Sequence, residues 1–268
     1  MFIKLTAFDL SLAAVLVVML GVLSTYMKLG VAKQLYIAAL RTTVQLLLIG
    51  LVLKSLFENT QPLFVLLVCF IMISVAGWEI LSRQKRKLKG WWGFGVSTGS
   101  LFVSSFLITL LSLFIVIQAD PWYNPQYAVP LLGMLLGNTM TGIALGMDRL
   151  TQTAWQQRPI IEQRLMLGES ADKAISDIRS EAMRAGMIPI INSMAAAGLV
   201  SLPGMMTGQI MAGAEPVEAV KYQILIMFMI SAGTGFGVIS VLWLISKRLF
   251  DDRERLCFKR LLKQSADQ

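Results

Sequence analysis

This sequence predicts an all-α polytopic membrane protein with seven transmembrane helices, and three observations carry that prediction. Of 268 residues, 56% are hydrophobic and only 15% charged, whereas soluble chains run nearer half and a quarter. Seven apolar runs each reach the roughly 20 helical residues that a hydrocarbon core requires. Between the runs, lysine and arginine alternate from side to side, twenty against three. The positive-inside bias then places the N-terminus outside and the C-terminus in the cytoplasm.

The runs lie near Leu5–Met27, Leu35–Phe57, Pro62–Leu81, Trp91–Ile117, Tyr127–Met147, Met187–Gly213 and Tyr222–Ile245. The first carries Asp9 near its outer end. Lys4, Val22 and Ser24 resemble a signal-peptide n-region and cleavage site, but the apolar stretch is longer than an ordinary h-region, so it reads as a span. Cleavage would leave six spans in the same orientation. The second run holds Arg41, with Gln45 one turn on along the same face. A mid-span arginine costs at least about 2.5 kcal/mol on insertion scales. Arg41 therefore either snorkels to the cytoplasmic end or finds an ion pair in the bundle, for which Glu79 of the third run is a candidate. Trp91, Trp92, Trp122, Tyr123 and Tyr127 stand at span ends, as interfacial anchors do.

The fifth run contains LLGMLLGNTM from Leu131. Gly133 and Gly137 form a GxxxG pair that, with Gly142, predicts close helix packing. The sixth contains GLVSLPGMMTGQIMAG from Gly198. Pro203 has no N–H to donate and Gly204 tolerates unusual dihedrals, so a break is expected there. Such a break is either a packing kink or a water-lined substrate route. Met205, Met206 and Gln209 would lie beside freed carbonyls, facing Asn138 and Asn192. Those two asparagines serve either as interhelical glue or as cavity lining. Met205, Met206 and Met211 form a thioether cluster; most other methionines fill apolar gaps.

The long link at 148–186 carries six basic and six acidic residues. From Ser170 it reads SADKAISDIRSEAMRAG, with Ala171, Ala174, Ile175, Ile178 and Ala182 at helical spacing. Gly168 suits a helix C′ position and Ser170 the next N-cap. The result is a helix–Gly–helix elbow in the cytoplasm, whose balanced charge around a narrow small-residue face suits a protein partner, or else a solvated continuation of the spans. The whole chain, 1–268, forms a single membrane domain that contains this elbow and ends in a cytoplasmic tail at 247–268.

Several functions are excluded by residue type. There is no histidine, which removes His-dependent triads, HExxH zinc sites and His-ligated haem. Cys69 and Cys257 cannot build a disulfide framework. The net charge of +8 is a topology signal rather than a nucleic-acid surface, since no soluble basic domain carries it. Intramembrane protease chemistry lacks a nucleophile–base or aspartate pair inside the spans. A retinal-type receptor would need a mid-membrane lysine in the last span. An ion-coupled secondary transporter or channel, the rival transport reading, calls for more mid-membrane carboxylates than Asp9 and Glu79.

Two resemblances sharpen the reading. Glu162, Gly168 and Ile178 reproduce the Glu–five–Gly–nine–Ile spacing of the coupling loop of ABC-transporter permeases, without the Leu-Pro that normally follows. The segments RTTVQLLLIG from Arg41, LLGMLLGNTM from Leu131, LMLGESADKA from Leu165 and IPIINSMAAAGLVSLPGMMTGQIMAGAEPVEAVKYQI from Ile188 together resemble the FetB-type permeases. These are membrane subunits of an ABC system associated with iron export, with plant members linked to aluminium tolerance. The resemblance implies a homodimeric permease of the bacterial inner membrane that binds no cofactor itself and moves a metal ion. It also implies a separate ATP-binding subunit contacted by Glu162, Arg164, Gly168 and Ile178, because no Walker A sequence occurs in this chain.

Overall fold

A computed structural model of the chain describes residues 6–58, 61–86, 88, 91–118 and 120–261. Lys4, Lys87, Lys89 and Lys263, which enter the charge asymmetry, lie outside the described residues. Among the described residues the fold is all-helical, with six stretches long and apolar enough to cross a membrane. They coincide with six of the seven runs. The remaining run, Met187–Gly213, is interrupted.

The chain divides into two units. The smaller contains α1 (Ala7–Tyr26) and α2 (Ala32–Glu58). Asp9 belongs to the start of α1: its carboxylate accepts from the Thr6 N–H and hydroxyl, both at 2.8 Å, while Thr6 caps the Asp9 N–H. This is a capping box, which satisfies donors that a helix start leaves open. The two helices meet where Gly21 admits the Tyr36 ring, whose hydroxyl donates to the Val18 carbonyl at 3.1 Å. Along α2, Leu46, Leu47, Leu48 and Leu51 are exposed, as lipid-facing side chains are.

The larger unit starts with α3 (Pro62–Ser82) and α4 (Trp92–Leu101). After α4 the helix widens into a π-stretch at Phe102–Phe106, resumes as α5 (Leu107–Leu111), and widens again at Ser112–Ile117. Then come α6 (Pro125–Gln156), α7 (Arg158–Met166), α8 (Ala171–Ala174), α9 (Ser176–Ala196), α10 (Gly204–Met211) and α11 (Pro216–Arg248). The centre of this unit is α6 packed on α9 and α11. The close approach is not at Gly133 and Gly137, as the GxxxG reading expects; space beside Gly137 is open. It lies at the next such pair, Gly142 and Gly146. A Cβ on Gly142 would stand 2.8 Å from the Gly186 carbonyl oxygen, and one on Gly146 3.2 Å from that of Ala182. Small residues on both helices let the backbones touch.

The sixth run breaks earlier than Pro203. Ala197 is extended, Gly198 takes φ +84°, and the Gly198 N–H donates to the Ser201 carbonyl at 2.9 Å. A left-handed residue ends the helix, as a C-terminal glycine commonly does. Pro203 instead begins the next helix: its carbonyl accepts from Thr207 N–H at 3.1 Å. Its missing N–H falls where no intrahelical partner is needed. Pro130 and Pro189, by contrast, sit inside α6 and α9.

Candidate functional site

The break in the sixth run forms one wall of a cavity of about 540 Å³. From α6 come Met134 and Asn138; from the end of α9, Asn192 and Ser193; from the break and the start of α10, Ser201, Pro203, Gly204 and Met205. The opposite wall is α11, through Gln223, Ile226, Met227 and Ile230. Five expected pathway residues, Asn138, Asn192, Pro203, Gly204 and Met205, are therefore brought together. Met206 is not among them, being buried, and Gln209 also lies outside the lining.

The polar groups have definite commitments. The Asn138 amide nitrogen donates to the Met134 carbonyl at 2.8 Å, which leaves its side-chain oxygen for a ligand. The Ser193 hydroxyl donates back to the Pro189 carbonyl at 2.9 Å. Gln223 is only 9% exposed, and its side-chain oxygen is buried without a hydrogen-bond partner among the described residues. Sequence reading passes over Gln223 because it lies at the start of an apolar run, where a polar residue attracts no notice. The available signal was its spacing with Ile226 and Ile230, which puts it on the inward stripe of α11. The lining holds amides, hydroxyls and thioethers, and no titratable side chain.

The elbow forms the second part of the site. α6 runs on to Gln156, and a bend at Gln157 starts α7. Gly168 has φ +89°; Glu169 N–H donates to the Arg164 carbonyl at 3.1 Å and Gly168 N–H to that of Leu165 at 3.0 Å. This pair of bonds is a Schellman motif, and it fixes the angle of the elbow. Arg164 braces the turn with a 2.9 Å bond to the Asp177 carboxylate, and Glu162 pairs with Arg158 at 2.7 Å. At the tip, Met166 and Leu167 are about four-fifths exposed, and Ile160 half exposed.

Two expectations are corrected here. The face Ala174, Ile175, Ile178 and Ala182 is buried within the chain, not offered to a partner. Ile178 thus anchors the elbow instead of lying at its contact surface. Ser170 occupies the N-cap position, but its hydroxyl makes no capping bond; the Ala171 N–H is taken by the Glu254 carboxylate at 3.1 Å. The C-terminal segment therefore holds the elbow down. Arg179, only 14% exposed in its side chain, bonds Asp172 at 2.5 Å and the Ser246 hydroxyl at 3.3 Å, tying α9 to α11. The Arg179 guanidinium, with help from Lys247, holds the Asp172 carboxyl below the usual carboxylate range.

Arg41 and Gln45 lie one turn apart on the exposed surface of α2. Glu79 pairs with Arg83 at 3.5 Å. Among the described residues no group of three or more His, Cys, Asp or Glu side chains is placed to hold a metal ion.

Residues 7–250 match the family described as "Uncharacterised protein family (UPF0014)". The chain is 32% identical to the "Probable iron export permease protein FetB" of Escherichia coli K12, covering 97% of this chain and 98% of that protein. It is 37% identical to the "UPF0014 membrane protein YjkA" of Bacillus subtilis, over 87% of this chain and 92% of the relative. With "Protein ALUMINUM SENSITIVE 3" of Arabidopsis thaliana it shares 33% identity over 85% and 82% of the two chains. No solved structure matches it.

Proposed function

This chain belongs to the UPF0014 family of membrane proteins, and from that premise we propose that it is the permease subunit of an ABC transporter exporting iron or a similar metal ion. A second copy of the chain and two copies of a separate ATP-binding subunit complete the machine in the bacterial inner membrane. A relative named a probable iron export permease, aligned along nearly the whole chain, supports the metal assignment. The observation that carries the coupling is mechanical. α9 is a single helix from Ser176, at the elbow, to Ala196, at the cavity. Its 21 residues span about 31 Å.

A push on the elbow tip is thereby carried to the cavity wall. The ATP-binding subunit seats Met166 and Leu167, with Ile160 beside them and the Arg158–Glu162 pair at the rim. The Arg164–Asp177 bond ties α7 to α9, and the buried Ile178 anchors α9 within the chain, so that motion is transmitted and not absorbed by the turn. At the far end, the Ala197–Leu202 break is the deformable part of the wall. Its displacement opens or closes the cavity past Asn192 and Pro203, a hinge motion of the kind transporters use. Amide and hydroxyl groups hold the departing cargo weakly enough to release it.

The test is copurification of the chain with its ATP-binding subunit, followed by metal transport in liposomes. ATP-dependent movement of iron, lost when Met166 and Leu167 are both replaced by Asp, is the expected result. Transport driven by an ion gradient without any ATPase would overturn the proposal in favour of a secondary transporter.

A further inference from the structure

We infer that the cavity takes its metal as a complex already wrapped by an organic oxygen chelator, and not as a bare or merely hydrated ion. The inference rests on the reading of the chain as a metal exporter and names the chemical form of its cargo. Three observations on the same cavity carry it.

The first is charge. A divalent or trivalent ion entering a low-dielectric site needs compensating charge from its ligands, since an uncompensated buried ion is far more costly than a neutral group. Hard cations obtain that compensation from carboxylates. The cavity lining contains none: its polar side chains are Asn138, Asn192, Ser193, Ser201 and Gln223. The compensation must then arrive with the cargo.

The second is size. A cation with six waters fills about 200 Å³ at roughly 30 Å³ per water. The cavity, at about 540 Å³, is more than twice as large and falls within the usual range for small-molecule sites, about 300–1,000 Å³. Much of its wall is apolar, formed by Met134, Leu202, Met227 and the isoleucines of α9 and α11. Carbon surface suits the backbone of a chelator and gives nothing to a water shell.

The third is the unpartnered oxygen of Gln223, buried in a side chain only 9% exposed. A buried acceptor with no partner is destabilising until a ligand supplies a donor. An O–H of the chelator that does not ligate the metal, a free hydroxyl or protonated carboxyl arm, supplies a donor to this oxygen. The amide N–H groups of Asn192 and Gln223 and the Ser201 hydroxyl are donors for its carboxylates. A bare cation would use the oxygen and leave the N–H groups idle.

The experiment is equilibrium binding to the purified full-length permease in nanodiscs. The probes are ferric citrate, gallium citrate as its redox-inert counterpart, citrate alone, and ferrous ion alone kept reduced. Saturable binding of both metal citrates, stronger than that of citrate alone, is expected, with no saturable binding of ferrous ion. Gln223→Leu and, separately, Asn192→Leu should each weaken metal-citrate binding on the order of tenfold. Gln209→Leu, outside the lining, should leave it unchanged. Saturable ferrous binding that depends on Gln223 would overturn the inference. So would equal binding of citrate without metal, binding indifferent to both variants, or no binding of any probe. Copurification of an ATP-binding subunit, scored on the same preparation, is a separate readout. Its failure overturns the ABC reading and leaves the binding result standing.

Discussion

Gly186 and Gly142 meet backbone to backbone, and each is glycine because the other is there. A methyl at Gly186 would stand 2.7 Å from the Gly142 carbonyl oxygen and 3.0 Å from a Val238 methyl. Backbone cannot move aside as a side-chain tip does. Gly186→Ala should therefore cost about 1–3 kcal/mol, read as a lower melting temperature of the detergent-solubilised protein. Gly137→Ala, with open space around it, should stay within about 0.5 kcal/mol. Gly168 is glycine for a different reason. Nothing lies within 4 Å of its missing Cβ, but φ is +89°. The left-handed region penalises a Cβ by roughly 1–2 kcal/mol, and a β-branch adds to that. Gly168→Val should leave the membrane bundle folded while uncoupling ATP hydrolysis from transport. Gly168→Asn, which tolerates that conformation, should keep the two coupled. Normal coupling in Gly168→Val would remove the turn from the mechanism.

At the scale of elements, the break separating α9 from α10 forms one wall of the cavity, and it is made by Gly198 and not by Pro203. Pro203→Ala should therefore leave the break in place, with stability within about 1 kcal/mol and transport retained. Gly198→Val, strained at φ +84°, should impair transport per folded molecule. Measuring both properties on each purified variant separates the assignments. The sequence makes the existence of a break legible, because Gly and Pro cluster there, but not its position. A proline reads as a helix breaker whether it interrupts a helix or starts one, and only the φ of Gly198 decides. Likewise the inward face of the elbow was legible as a face but not as a core, since periodicity shows which side is apolar and not what covers it. The Asp172–Arg179 ion pair of the elbow has a predictable pH response. Arg179 keeps the Asp172 carboxyl depressed, so its stabilising charge is complete above the ordinary carboxylate range, about pH 4, and is lost as pH falls through the lowered value. Hydrogen exchange at the α8 amides should thus be level from pH 5 to 8, after correction for intrinsic rates, and rise only in stronger acid. Because Asp172 is 64% exposed in its side chain, Asp172→Asn should cost no more than about 1 kcal/mol.

For the whole molecule, the interrupted run decides the topology. Among the described residues six helices are long and apolar enough to cross; if all six do, the sides of the termini depend on whether the interrupted run also crosses. The part of α9 beyond Gly186 rises about 15 Å and the eight residues of α10 about 12 Å. With the extended break between them, these are long enough to span a hydrocarbon core of about 30 Å. They are equally able to enter and return on one side, as a re-entrant pair. Charge favours crossing: the link at 148–186 carries six basic residues, whereas around Glu215 only Lys221 is near. Under the positive-inside bias those two links belong on opposite faces. The chain has only two thiols, Cys69 and Cys257, so a background of Cys69→Ala with Cys257→Ser is cysteine-free. In that background, Glu215→Cys should react with a membrane-impermeant maleimide on intact cells, and Glu169→Cys only after the membrane is opened. Labelling of both positions under the same condition would make the run re-entrant, return the count to six crossings, and put the two ends of the chain on one side.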